Sequence, residues 1–73
     1  MTLDQLAPGQ TAIIREVGGT GVFRRRLLEL GLLPGTRVLR TGQAPLGDPL
    51  SFRVRGTLLS IRSADASLVE VIA

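Results

Sequence analysis

The chain has 73 residues, with nine Arg, no Lys, six acidic residues and a formal net charge of +3 at pH 7. So short a chain predicts one domain over residues 1–73, with a small core and little room for an enclosed active site. Because the sequence contains no Cys and no His, it lacks the side chains that most often build disulfides, transition-metal sites and nucleophilic triads, so we expect no enzyme, no cofactor and no metal site.

The sequence contains no recognisable membrane or export signal. No apolar run reaches the roughly 18 residues that a membrane-spanning helix needs. The segment from Met1 to Gly9 lacks the basic region and long apolar core of a signal peptide. We therefore expect a soluble, cytoplasmic protein.

The first predicted elements are a short helical turn and a strand. Leu3 and Leu6 are spaced to lie on one side of a turn that closes one end of the core, and Pro8-Gly9 ends it. The β-branched segment from Thr11 to Val17, bounded by glycines, predicts the first strand.

A glycine-rich segment, Gly18 to Gly21, separates this strand from the next element. It lies between a strand and a helix, as phosphate-binding loops do, but it has neither the Lys-Ser/Thr pair of a Walker A loop nor a G-x-G-x-x-G spacing. A flexible connection that changes the chain direction is the favoured interpretation over a nucleotide site. Thr20 or Gly21 can cap the helix that follows.

The arginine-rich and leucine-rich stretch from Arg24 to Gly35 predicts the main helix. Phe23, Leu27 and Leu30 recur at i, i+4 and i+7, so we expect this face to seal the core. Gly31 is typical of a left-handed residue that ends a helix.

Two further signals follow that helix end. Leu32 can fold back onto Leu27 in the apolar contact that accompanies a left-handed cap. The run Leu33-Pro34-Gly35-Thr36 has Pro and Gly at the central positions of a type II turn.

The remainder of the chain is rich in predicted strands, separated by glycines and a polar turn at residues 63–66. Closure is one way for so small a sheet to avoid exposed edges, so five strands with one inserted helix predict a small, strongly bent β-barrel. The four later strands are expected at Thr36 to Thr41, Leu50 to Arg55, Thr57 to Arg62 and Ser67 to Ile72.

The loop from Gln43 to Pro49 is stiffened by Pro45 and Pro49. Its apolar residue, Leu46, allows two interpretations. It is either exposed on a rigid loop, where binding would lose little entropy, or packed inward in a simple connection.

Several of these motifs together resemble the FeoA family of ferrous iron transport proteins. They are R-R-L-L-E-L-G-L-L-P-G, A-P-L-G-D-P, V-R-G-T-L-L-S-I-R and a terminal V-E-V, in this order between Leu6 and Val71. The resemblance implies a small SH3-like five-stranded β-barrel with one inserted α-helix and a short N-terminal helical turn.

The resemblance also implies a function. FeoA proteins are cytoplasmic accessories of FeoB, a membrane ferrous-iron transporter with a cytosolic GTP-binding domain, and are thought to act by protein contact there. The same domain occurs in metal-dependent repressors of the DtxR type, which leaves a regulatory domain of a repressor system as an alternative. This chain lacks the winged helix and metal ligands of those repressors, so a stand-alone accessory at the inner membrane is favoured.

The acidic residues give no sign of an iron site. With no His or Cys, such a site would need oxygen ligands, and the carboxylates are scattered along the chain without ligand spacing. We therefore expect that the protein does not carry iron. The carboxylates are those of Asp4, Glu16, Glu29, Asp48, Asp65 and Glu70.

A surface for a protein partner is the remaining candidate site. Arginine suits such a surface because its planar guanidinium pairs with carboxylates in a bidentate manner. The alternative is a solvated helix face on which Arg25 and Glu29 pair at i, i+4. The candidate contact residues on the helix stretch and on the loop from Gln43 to Pro49 are Arg25, Arg26, Leu28, Glu29, Leu32, Pro45, Leu46 and Asp48.

Two other binding functions are disfavoured. Small barrels also bind RNA, and three consecutive arginines could contact phosphates, but Phe23 and Phe52 are both expected in the core, which leaves no stacking aromatics. A reader of proline-rich peptides needs an aromatic groove, which a chain without Trp or Tyr cannot form.

Overall fold

The computed structural model describes residues Met1 to Ala73 and contains one antiparallel sheet of five strands in the order β4-β3-β2-β1-β5. Register shifts in β1 and β2 mark bulges, which bend a sheet. The strands are β1 (Thr11–Val17), β2 (Arg37–Gln43), β3 (Leu50–Val54), β4 (Thr57–Ile61) and β5 (Val69–Ile72); the helices are α1 (Gly21–Glu29) and α2 (Ser63–Ala66), and a 3₁₀ turn covers Leu3–Gln5.

The predicted mainly-β fold is confirmed, with five strands, an inserted helix and an N-terminal helical turn. Two details differ. Strands β4 and β5 are the two edges of the sheet and do not pair with each other, so hydrogen bonds do not close the barrel. The polar turn expected at residues 63–66 is the short helix α2.

The core lies between the concave face of the sheet and the segments that cover it. Strand β3 alternates as predicted, with Leu50, Phe52 and Val54 buried. The turn at Leu3–Gln5 covers one end of the core through Leu3, and the following Leu6 is buried with it. The buried apolar residues form one cluster of 15, so the small chain has a single continuous core.

The end of α1 forms the predicted left-handed cap. Gly31 has a φ of 99°. Its N–H donates to Leu28 O at 3.0 Å, and the Leu32 N–H donates to Leu27 O at 3.2 Å, which is the bonding pattern of a Schellman motif. This cap turns Leu32 back into the core, where it is fully buried. The prediction of Leu32 as a contact residue for a partner is therefore wrong, because its side chain is not accessible.

The inward face of α1 also differs from the predicted one. Leu27 is buried and Leu28 packs partly against the core, while the Arg24 Nε donates to Val17 O at 3.2 Å. These residues are related by i, i+3 and i+4, so they define the face turned toward the sheet. Phe23 and Leu30 lie to one side of that face and are exposed, contrary to the expectation that they seal the core.

Arg40 on β2 is a buried cation that the sequence did not predict. Its guanidinium donates to Leu6 O at 2.7 Å, Gly42 O at 2.9 Å and Gln43 Oε1 at 2.9 Å. It also lies over the Phe52 ring, 5.8 Å from the centroid. Because the bond to Leu6 spans 34 residues, Arg40 ties the N-terminal turn to the sheet.

Candidate protein-binding surface on helix α1

The connection from β1 to α1 is tied to the segment that precedes β5. The Gly18 N–H donates to Leu68 O at 2.6 Å. A Cβ atom at Gly18 would be 2.9 Å from that carbonyl oxygen, so only glycine fits this close approach. Gly18 therefore has a structural role in joining the end of β1 to the segment that precedes β5.

The outer side of α1 carries apolar side chains in solvent. Val22 is 80% exposed, Phe23 is 60% exposed and Leu30 is 39% exposed. Leu33, just after the helix, is exposed to the same extent as Leu30. Single exposed apolar residues are common, but several on one short segment are typical of an interaction site. These residues are not among the contact residues predicted from the sequence. The sequence pattern assigns Phe23 and Leu30 to the core and makes no assignment for Val22.

Charged residues on α1 accompany these apolar ones. Arg25, Arg26 and Glu29 are all exposed, as predicted. The structure contains one ion pair, between Arg15 and Glu70 at 2.7 Å. The i, i+4 pair between Arg25 and Glu29 is therefore absent, and both side chains are free to meet a partner.

A cleft of about 170 Å³ runs along one side of α1. Arg26 and Leu30 form its helix side, and Pro49 contributes from the end of the 43–49 loop. The cleft brings a predicted contact residue, Arg26, next to groups from three other segments. Its full lining is Arg26, Leu27, Leu30, Pro49, Ser60, Ile61, Arg62 and Asp65.

The 43–49 loop presents Leu46 to solvent. The Ala44 N–H donates to Pro49 O at 2.9 Å, and the Gly47 N–H donates to Ala44 O at 2.8 Å, so the loop closes on itself. Leu46 at its tip is 98% exposed. Of the two interpretations of Leu46, the inward-packed one is wrong.

Asp48 has a structural role in this loop. Its carboxylate accepts a hydrogen bond from the Ser63 N–H at 2.8 Å, which satisfies a free donor at the start of α2. Asp48 is also exposed, as is Pro45. Neither of them lines the cleft beside α1; of the loop residues, only Pro49 does.

No group of three or more His, Cys, Asp or Glu side chains is close enough to hold a metal ion. Helices α1 and α2 have nine and four residues, and neither is long and apolar enough to cross a membrane.

Comparison with known proteins identifies relatives over the whole chain. The FeoA domain family matches residues 1–73. A curated relative from Porphyromonas gingivalis, an Fe(2+) transport protein A/Fe(2+) transporter FeoB fusion protein, is 41% identical over 71 residues. That match covers 97% of this chain but 8% of the relative, so this chain corresponds to a small part of the fusion protein.

Solved structures share the fold. The solution structure of iron(II) transport protein A from Clostridium thermocellum has a TM-score of 0.94 and 32% identity, and covers 100% of this chain and 45% of that one. FeoA from Stenotrophomonas maltophilia, crystallised with zinc, has a TM-score of 0.86 and 32% identity over 97% of this chain and 88% of that one. That protein is described as an SH3 domain protein and is suggested to act as a ferrous iron transport activating factor.

Proposed function

The chain belongs to the FeoA domain family, which is associated with ferrous iron transport, and from this premise we propose that it is an accessory of a FeoB-type ferrous iron transporter. It acts by direct contact with the cytosolic part of that transporter, such as its GTP-binding domain, and performs no chemistry of its own. Its place is therefore the cytoplasmic side of the membrane.

The fusion relative supports the choice of partner. In the Porphyromonas gingivalis protein, an FeoA-like segment and FeoB are parts of one polypeptide. Joining two domains in one chain raises the effective concentration of each for the other, which favours their contact. Without that covalent link, the binding surface alone has to supply the affinity for the partner.

The exposed apolar side of α1 is the observation that carries the proposal. Burying a Phe, Leu or Val side chain contributes about 1.5–3 kcal/mol relative to leaving it in water. Val22 and Phe23 forgo much of this gain in the isolated chain, and Leu30 forgoes part of it. A partner that covers them would recover it, and the surface lies on a helix whose position is fixed by the Gly31 cap.

The polar groups beside this apolar surface suit an acidic partner region. Arg25 and Arg26 are exposed and make no ion pair within the chain. Arg62 lies across the cleft from Arg26. Guanidinium groups at the rim of an apolar contact pair with carboxylates and guide the orientation of the partner.

A capture experiment with the cytosolic part of the transporter tests the proposal. We expect Phe23→Ser combined with Leu30→Ser to weaken binding by about tenfold or more, because central apolar contacts dominate such interfaces. Ile72→Ser is the matched control, since Ile72 is as exposed as Phe23 but lies on β5. Thermal unfolding of each variant shows whether the fold is intact. Equal binding by the wild type and the double variant would refute the proposal.

The expectation that the protein carries no iron belongs to the same proposal. The chain offers only carboxylates as strong ligands, and three of the six are already engaged, since Asp4 accepts the Thr2 hydroxyl, Asp48 accepts the Ser63 N–H and Glu70 pairs with Arg15. Anaerobic equilibrium dialysis is expected to show no stoichiometric binding of Fe²⁺ at micromolar concentration. Stoichiometric binding at that concentration would contradict this part of the proposal.

A further inference from the structure

A second concave surface lies on the outer face of the sheet, opposite the core. It is an open cleft of about 570 Å³. Three arginines line it together with one hydrophobic side chain and the turn that precedes β2. Its lining residues are Pro34, Gly35, Thr36, Arg37, Leu39, Arg53 and Arg55.

Strand register explains why the arginines share this face. Leu39 on β2 is opposite Arg53 on β3, and the neighbouring pair Val38 and Val54 is buried. Because side chains alternate along a strand, Arg37 and Arg53 point away from the core on adjacent strands. Arg55 follows β3 directly in the hairpin to β4.

The charge of this cleft is not neutralised within the chain. The one ion pair of the structure, between Arg15 and Glu70, lies outside it, so Arg37, Arg53 and Arg55 have no carboxylate partner. Arg53 Nη1 makes a single hydrogen bond, to Gly56 O at 3.3 Å. Arg37 and Arg55 make no side-chain hydrogen bond within the chain, in contrast to the buried Arg40, whose three guanidinium nitrogens each donate one.

The backbone at Arg55 gives an independent reason to assign a function to its side chain. Arg55 has a φ of 52° and is the one non-glycine residue with a positive φ; Gly56 follows at 80°. The left-handed conformation costs a non-glycine residue roughly 1–2 kcal/mol. Two-residue hairpin loops with positive φ at both positions favour Asn-Gly. Arg is therefore not the residue that the backbone conformation at position 55 favours.

We propose that this cleft binds phosphate groups. Guanidinium groups bind phosphate oxygens in a bidentate manner, and neighbouring phosphate groups, on one anion or on adjacent lipid headgroups, can meet several of them at once. The nearby backbone donors are already used, since the Gly35 N–H donates to Ile14 O and the Thr36 N–H to Leu33 O. The arginine side chains therefore supply the binding.

The ligand is recognised by its phosphates rather than by a base. The lining contains no aromatic residue on which a base could stack. Suitable sources are a free pyrophosphate or triphosphate group and the headgroup of an anionic phospholipid. This site uses none of the α1 contact residues, so it stands or falls separately from the proposed function.

Calorimetric titration of the whole chain with pyrophosphate, and sedimentation with vesicles containing phosphatidylglycerol, test the site and separate the two sources. We expect saturable binding in at least one arm, weakened about tenfold or more by Arg37→Gln with Arg53→Gln. The matched control is Arg25→Gln with Arg26→Gln, which removes the same charge from α1 and is expected to change binding by less than about threefold.

Arg55→Asn keeps the test independent of folding. Asn suits the left-handed position better than Arg, so this variant is expected to be at least as stable as the wild type while binding pyrophosphate or vesicles more weakly. Saturable binding with pyrophosphate alone identifies a soluble phosphate ligand, and binding with vesicles alone identifies a lipid headgroup. Absence of saturable binding in both arms, or equal weakening in the α1 control, would overturn the proposal.

Discussion

The two sides of α1 come from one leucine-rich stretch but have opposite environments. Leu27 in the helix and Leu32 just after its cap are buried in the core, while Phe23 and Leu30 are exposed. Both sides carry large apolar side chains, so composition does not decide which side is buried. The way the chain enters and leaves the helix decides it. One short segment can therefore both complete the core and present a surface to a partner.

The largest expected effect is on the buried side. Leu32→Ala should lower the free energy of unfolding by about 2–5 kcal/mol, because it removes a fully buried side chain and leaves a cavity. Equilibrium urea denaturation measures the change. Leu30→Ala is the matched control on the exposed side and should cost far less. Similar losses of unfolding free energy for the two variants would contradict the different environments of the two sides.

A smaller effect is expected at the cap that separates the two sides. Gly31→Ala should destabilise the protein by about 1 kcal/mol, because alanine is disfavoured at its φ of 99°. An added Cβ would lie 3.9 Å from Val54 Cγ1, which is an ordinary contact, so no clash adds to the cost. An unchanged urea midpoint would contradict the expected cost of alanine in this left-handed conformation.

The smallest effect on stability is expected on the exposed side. Phe23→Ser should change the free energy of unfolding by no more than about 0.5 kcal/mol, since the ring contributes little to the core. The same urea experiment measures it. A loss near that of Leu32→Ala would mean that Phe23 packs inward, as its spacing with Leu27 predicted.

Much of the fold could be predicted because local chemistry determines it. The β-branched run Thr11 to Val17 forms β1 with the predicted bounds. The turn before β2 has the predicted geometry, with Gly35 at a φ of 88° and the Thr36 N–H donating to Leu33 O. These features depend on residues close together in sequence, so the sequence pattern carries them.

The features that could not be predicted depend on distant parts of the chain. Arg40 is buried because a carbonyl 34 residues away accepts its hydrogen bond. Helix α2 begins where the distant Asp48 carboxylate meets its first N–H. No local motif signals either contact, so a polar turn was the natural expectation for residues 63–66.

The candidate binding surface was only partly predictable for a related reason. Arg25, Arg26 and Glu29 are exposed, as most charged residues are. The leucines of the stretch fit two adjacent helix faces equally well, and spacing alone cannot choose between them. In the structure, Arg24 on the inward face donates to Val17 O, and that contact is visible only in three dimensions.

The measurement that tests the proposed contact most directly is a two-dimensional ¹H–¹⁵N NMR titration of the labelled chain with the cytosolic part of the FeoB-type transporter. We predict that the largest shifts or losses of amide signals fall on α1, around Phe23 and Leu30, and on the cleft residues Ser60 to Asp65. Unchanged α1 signals at saturating partner, with changes confined to the outer sheet face around Arg37 and Arg53, would contradict the proposal.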